Sequence, residues 1–515
     1  MYFIYTVCHG KIESVLFCIS SILCIGPCME ERASGVEVND LVYFLRRLLG
    51  NPLTRSVIRR LGPPKSIVKL LGIYAGVEEP SNLKEKTLSS TLTLLLSKAA
   101  SRFGVKEESL KNGLKDAYMR RGVANVLLGI AYYGITRPQR LYAPFMVVWD
   151  FTKRCNLKCR HCYANAGPFP APDELTLDQK LEVLRQLDEA GVAAISFSGG
   201  EPLMSPDFWI VAKKAAETGM YVSVATNGTL IRPDVAKRLK QIGVRYVEVS
   251  LDSPYPEDHD RFRGVKGAWE RSVQGIKNAK SSGLEVGIAT TVTKMNYKQL
   301  PEMIRLAEEL KVDRFIAFNF IPTGRGREIV EMDLSPKERY EVLELLYNEL
   351  SSGRLQAFST SPLYAVVSLK GIDKGGKLAP THFADLSIPD EYMAAGFALG
   401  EFLGGCGAGR IYCSIEHNGD IQPCVFMPIV VGNVLRDGFL NVWQNNELFN
   451  KLRDRDSHYC SFCPYKYICG GCRARAYAYY GDPLGPDPSC EFNEKLWEEL
   501  VSEVRSAHQV RVIER

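Results

Sequence analysis

The stretch that decides the reading runs from Asp150 to Gly167, DFTKRCNLKCRHCYANAG, and places Cys155, Cys159 and Cys162 within eight residues. Their neighbours are Lys153, Arg154, Asn156, Lys158 and Arg160, so apolar packing does not explain three thiols here. Cationic flanks favour the thiolate form that binds metal, and we expect the thiol pKa values of this loop to be depressed. A structural zinc site commonly takes four protein ligands, whereas a reactive metal site keeps one position open. Three cysteines without a fourth point to a cluster with one exchangeable iron; a zinc site completed by His161 is the alternative.

Working outward, the loop follows the apolar run MVVW and precedes a regular alternation of short apolar runs with longer amphipathic stretches. TLDQKLEVLRQLDEAG is followed by AISF, PDFWIVAKKAAETG by YVSVA, and PDVAKRLKQIG by YVEVSL, and the pattern continues to about residue 353. Thr176 with Gln179 spells a capping box, and Gly191, Gly219, Gly243 and Gly283 close four of the helices. Six strand-plus-helix units predict an α/β fold, an incomplete (β/α)6 barrel over 141–353, with its loops gathered at the strand C-termini.

Three further regions flank the barrel. Residues 29–140 show apolar positions recurring at three and four and predict a helical domain, while 354–405 reads as a Gly-rich linker with an insertion facing the substrate. The Cys-, Gly- and Pro-rich 406–515 predicts a segment held by metal and ending in a helix. Residues 14–28, SVLFCISSILCIGPC, are uncharged but short of the ~20 residues a spanning helix needs. Translation starting at Met29 is the favoured expectation for 1–28, with a membrane anchor as the alternative.

With 46% hydrophobic and 24% charged residues over 515 positions, disordered, collagen-like and coiled-coil classes are excluded. Net charge is +5, yet residues 29–140 alone carry +9, either as a solvated basic face or as a surface for an anionic partner; no nucleic acid is expected. Fifteen cysteines fall in three blocks, with none between Cys162 and Cys406, unlike the scattered pairs of a secreted protein.

Taken together, these motifs resemble the radical S-adenosylmethionine enzymes over residues 145 to about 330. In that family the three cysteines hold a 4Fe-4S cluster whose fourth iron is chelated by the methionine moiety of S-adenosylmethionine. SFSGGEP matches the family's GGE motif: Gly199 and Gly200 allow close backbone approach, and Glu201 accepts from the ligand's ammonium. Thr226, Asn227 and Gly228 match a TNG turn, and in VSLDS the pair Ser250 and Asp252 resembles the residues that bond the ribose hydroxyls. HDRFRGVKG is also family-like, and Pro322, Gly324 and Arg325 resemble the turn near the adenine.

The tail resembles the SPASM extension of such enzymes, which carries auxiliary clusters. Cys406, Cys413, Cys424, Cys460, Cys463, Cys469, Cys472 and Cys490 supply eight thiols, enough for two fully ligated 4Fe-4S clusters. The resemblance implies Cys406, Cys413, Cys424 and Cys472 on one and Cys460, Cys463, Cys469 and Cys490 on the other. Two residues rather than the usual three separate Cys469 from Cys472, and two tetrathiolate zinc sites are the alternative.

What the resemblance implies is reductive cleavage of S-adenosylmethionine and use of the 5'-deoxyadenosyl radical to abstract hydrogen from a substrate. The electron would come from ferredoxin or flavodoxin, in a reducing cytoplasm. The tail most resembles members acting on tetrapyrroles in heme d1 and alternative heme synthesis; a peptide- or protein-modifying maturase is the second reading. A non-catalytic electron carrier or redox sensor is the rival of another class, and the intact Glu201, Ser250 and Asp252 set speaks against it.

Overall fold

The computed structural model describes residues 50–102, 107–372, 377–381, 384–386 and 400–500. The expectations for 1–28, and for the last helix beyond residue 500, lie outside the described residues. One mostly parallel sheet organises the chain. Its strands are β1 (Met146–Thr152), β2 (Ala194–Gly199), β3 (Tyr221–Thr226), β4 (Val244–Ser250), β5 (Glu285–Val292), β6 (Arg314–Asn319) and β7 (Gln356–Ser359). A separate hairpin, β8 (Leu378–Thr381) with β9 (Ala384–Leu386), precedes β10 (Tyr412–Ile415), β11 (Asp420–Gln422) and β12 (Gly432–Asn433). The order in the sheet is β12, β11, β10, β1, then β2 through β7 in sequence.

Helices cover the outer face between consecutive parallel strands, as the alternation predicts. Period two explains why the sheet curls around a space. Outward positions such as Val147, Trp149, Phe151, Ile195, Phe197, Val247 and Phe315 are large and wholly buried against helices. Inward positions at Ser196, Ser198, Ser223, Ala225 and Ser250 are small and line a cavity. The Thr176 capping box forms with both of its bonds, starting the helix Leu177–Ala190, which Gly191 ends in the left-handed conformation.

Two boundaries differ from the sequence reading. Residues 356–359 are not linker: they form a seventh strand paired in parallel with β6, followed by the helix Tyr364–Ile372. Only four residues long, this strand has too little periodicity to be seen in sequence. The C-terminal region is likewise not a separate body. Its β10 pairs in parallel with β1, so the extension adds strands to the open edge of the barrel sheet.

The N-terminal region is helical as expected, with Pro52–Arg60, Pro64–Ala75, Leu83–Arg102, Glu107–Leu114 and Ala117–Tyr133. It packs beneath the barrel, at the strand N-termini. Tyr118 meets Phe145 and Tyr221 at ring centroids 5.7 and 5.3 Å apart. Arg121 donates to the carbonyls of Val192 (2.7 Å) and Thr218 (3.1 Å) and to Asp188 (2.8 Å). None of its described residues lines the cavity at the other end.

Candidate functional site

The cavity opens at the strand C-termini, where α/β proteins gather their variable loops. The loop after β1 brings Cys155, Cys159 and Cys162 to its wall. One turn, at Gly324 and Arg325, holds this loop. Arg325 donates from Nε to the Cys159 carbonyl (2.9 Å) and from Nη1 to that of Ala166 (2.8 Å), while its backbone N–H reaches the Cys162 carbonyl (2.9 Å). Gly324 lies in the left-handed region, and a Cβ there would come within 2.4 Å of the Cys162 and Tyr163 carbonyls. The turn read as an adenine contact is thus also the clamp of the cysteine loop.

Burial pushes the Cys155 thiol up to about 12 and raises Cys159 as well, although Arg263 opposes the shift at Cys159. The expected depression by flanking cations is absent because Arg154, Lys158 and Arg160 are exposed and the thiols face inward. The cation that matters comes from elsewhere in the chain: Arg263 Nη1 lies 3.6 Å from Cys159 Sγ. His161 stacks on Phe262 at 4.2 Å, and burial holds its imidazole neutral, down to about 3.

Gly199 and Gly200 line the cavity wall, and a Cβ on Gly200 would lie 2.3 Å from the Arg154 carbonyl, which only glycine tolerates. Glu201 lies behind that wall, fully buried. It accepts from Thr226 Oγ1 (2.8 Å), Asn227 N (2.8 Å) and Leu203 N (3.2 Å), and burial raises it to about 7. Its carboxyl therefore braces the Thr226-Asn227 turn, which does line the cavity. Ser250 also lines it. Asp252 does not: it is wholly buried, held by Arg263 Nε (2.6 Å) and Thr291 N (2.9 Å), and charged neighbours led by Arg263 keep it below the usual carboxylate value against the opposing effect of burial.

Across the cavity stand Cys406, Cys424 and Cys472, one apolar cluster with Ile321, Ala408 and Met427. Cys413 does not join them, contrary to the set implied by sequence. In a parallel pair, partners share a face, and Cys413 is the partner of Val147, an outward residue, while Tyr412 beside it is the partner of the cavity-lining Met146. Tyr412 Oη reaches Cys424 Sγ (2.9 Å), whereas Cys413 is buried in the main core with Arg453 as its charged neighbour. Cys460, Cys463, Cys469 and Cys490 form the other group. Burial raises Cys460, Cys469 and Cys490, and the proximity of the other thiols adds to it.

Among the described residues, no three His, Cys, Asp or Glu side chains converge closely enough for a single metal ion. Sequence reasoning missed Arg263, Tyr163, Asp150 and Glu248. The signal was present for two of them: Asp150 in MVVWDF and Glu248 in YVEVSL are acids inside buried parallel strands, where a charge is costly. Burial raises Glu248 to about 7, and it faces the cavity.

Comparison with known proteins matches residues 149–307 to the Radical SAM superfamily and 406–466 to SPASM, an iron-sulfur cluster-binding domain. The AdoMet-dependent heme synthase of Methanosarcina barkeri is 34% identical over 352 residues, 68% of this chain and 96% of that protein. The mycofactocin maturase MftC of Mycobacterium tuberculosis is 33% identical over 358 residues, 68% of this chain and 83% of that protein. The crystal structure of Streptococcus suis SuiB shares the fold, with TM-score 0.56, 20% identity, and coverage of 82% of this chain and 92% of that one.

Proposed function

The chain belongs to the radical S-adenosylmethionine superfamily and carries its SPASM extension, and from that premise we propose that it modifies a tetrapyrrole. When bound, the cluster and S-adenosylmethionine supply reductive cleavage and a hydrogen-abstracting radical; the protein positions them and excludes competitors. Cys155, Cys159 and Cys162 hold the first cluster. Gly199 and Gly200 let the backbone approach the ligand, the Thr226-Asn227 turn and Ser250 offer polar atoms, and Arg263 places positive charge beside Cys159.

Cys406, Cys424 and Cys472 hold an auxiliary cluster on the far wall, and Cys460, Cys463, Cys469 and Cys490 hold a second. A one-electron protein donor such as ferredoxin or flavodoxin, in a reducing cytoplasm, completes the reading. No described helix is long and apolar enough to cross a membrane.

The observation that carries the substrate class is the cavity wall between the two thiol groups. It is mostly apolar and aromatic, with Tyr163, Phe318, Phe320, Tyr412 and Phe426, surfaces on which a flat macrocycle stacks. A peptide substrate is the second reading, favoured by the 33% identity to a maturase over a similar length.

The test is anaerobic. The reconstituted protein is titrated with an iron porphyrin bearing propionates while its optical spectrum is followed, and 5'-deoxyadenosine is then assayed with reductant and S-adenosylmethionine. A saturable spectral change and porphyrin-stimulated cleavage support the tetrapyrrole. Cleavage stimulated only by a defined peptide overturns it.

A further inference from the structure

Three arginines of the extension are buried with no acid paired to them. Arg410, Arg455 and Arg473 are 2%, 2% and 1% exposed. Arg410 donates from Nη2 to the Gly404 carbonyl (3.0 Å) and from Nε to that of Cys406 (3.4 Å), and Arg455 Nη2 donates to the same Cys406 carbonyl (2.9 Å). Arg473 donates to the carbonyls of Gly471 (3.2 Å), Pro483 (3.2 Å) and Gly485 (2.8 Å). Arg455 Nη1 faces His458 Nδ1 (3.5 Å), while Arg455 Nε and Arg473 Nη2 have no hydrogen-bond partner. Among the described residues, no carboxylate forms an ion pair with any of the three. A guanidinium keeps its proton inside proteins, so these are desolvated positive charges, and such a charge is costly unless an anion lies beside it.

The groups around them are thiols. Cys406 N donates to the Cys469 carbonyl (3.1 Å), which joins the cavity-wall group to the second group, and Arg455 sits at that junction with Cys406, Cys469 and Cys460 as charged neighbours. Arg410 has Cys406 beside it, and Arg473, which directly follows Cys472, neighbours Cys460. The turn between Cys469 and Cys472 leaves them room. Gly470 and Gly471 are left-handed, with φ of 68° and 63°, and a Cβ would lie 2.5 Å from the Arg455 guanidinium at the first and 2.3 Å from Arg473 Nη2 at the second. One acid, Asp487, stands among these thiols, but its oxygens accept from Cys472 N (2.6 Å) and from Ser489 N (2.9 Å) and Oγ (2.6 Å). A single carboxylate so engaged does not balance three guanidiniums. An iron-sulfur core held by thiolates is a net anion and becomes more negative by one charge on reduction, so the unpaired arginines fit that group.

We propose that Arg410, Arg455 and Arg473 are the counter-charges of the auxiliary clusters and make them easier to reduce. This rests on the reading of the eight-thiol tail as a cluster-binding region. The step they bias is the gain of one electron from the one-electron protein donor, in which no bond forms or breaks. The arginines are positioning residues: they touch the chain that carries the thiols, and they act through charge. Arg455, at the junction, acts on both thiol groups at once.

The experiment uses the full chain with Cys155, Cys159 and Cys162 all changed to Ala, so that auxiliary iron alone remains. This parent is loaded anaerobically with iron and sulfide, assayed for iron per chain, and titrated with dithionite while its electron paramagnetic resonance is followed. In the parent, about eight iron per chain are expected, as two four-iron clusters require. Adding Arg455→Gln should keep that iron and lower the ratio of reduced to oxidised cluster, read at the parent's midpoint potential, by about tenfold. Arg455→Lys keeps the charge and should restore most of the ratio. If Arg455→Gln does not fold or load, Arg410→Gln carries the same expectation. A midpoint equal to the parent's in a variant that holds its iron overturns the proposal, as does a Lys variant that falls as far as Gln, which assigns the effect to packing. A parent that binds no iron overturns the cluster reading itself, and the iron assay tells that failure from the other two.

Discussion

Cys155, Cys159 and Cys162 reach the cavity on one short loop, whereas Cys406, Cys424 and Cys472 reach its far wall from three separated segments. In the first group, spacing alone is decisive, because eight residues of loop cannot carry their thiols far apart. In the second, each cysteine sits where its own element puts it. Cys413 lies next to a cavity residue in sequence and on the opposite face of the sheet in space. Sequence proximity is therefore a guide to shared ligation within a loop and a poor one along a strand, where neighbours alternate.

The comparison is broken most severely at the loop. Cys159→Ala should abolish 5'-deoxyadenosine formation and remove the iron of one cluster, read by anaerobic product assay and iron per chain; full activity in this variant would refute the loop's role. Next comes a contrast within the extension. Cys424→Ser should lose a cluster's iron, while Cys413→Ser should keep native iron and give up only about 1 kcal/mol, the cost of a hydroxyl in an apolar site. Equal iron loss in the two variants would restore Cys413 to the ligand set.

Arg263 tests how far the loop depends on the rest of the barrel. Arg263→Gln leaves Asp252 buried without its 2.6 Å partner, and breaking such a pair costs about 3–5 kcal/mol, measurable by denaturant unfolding. Asp252 is held below the ordinary carboxylate value, so the stability it contributes is present above the unfolded pKa and lost as pH falls through the depressed native one. The variant should therefore lose the acid limb of the pH–stability curve.

The smallest expected effect concerns Glu248. Its folded value is raised to about 7 from 4.5, so stability is full below 4.5 and declines as pH rises through 7. Glu248→Gln mimics the protonated form and should gain about 1–2 kcal/mol over native above that range, a discounted figure because the side chain touches the cavity. Melting temperatures of both proteins across that interval check it; parallel curves would assign the burial cost to another group.

Much of the barrel was legible because parallel strands and their helices carry opposite periodicities, two and 3.6, and because capping residues mark the joints. What escaped was short or non-local. The strand Gln356–Ser359 has four residues, and the pairing of Tyr412–Ile415 with Met146–Thr152 spans more than 250 positions of chain. At the site, the thiol loop and the Gly199-Gly200 wall were visible as motifs. The roles of Glu201 as a brace and of Asp252 as the buried partner of Arg263 were not, since a motif names a residue without saying which way its side chain turns.

The sequence by itself determined the chemistry: three thiols on a loop after a strand, a Gly-Gly turn that leaves room for a ligand, and a cysteine-rich tail. Only the tertiary structure decided which thiols line the cavity, which acid reaches it, and that the Tyr412–Ile415 strand of the tail pairs with the first strand of the barrel. The reason is physical. Ligand type and local spacing are properties of a few adjacent residues, whereas facing and pairing depend on the register between strands distant in the chain, which is set by packing the whole sheet.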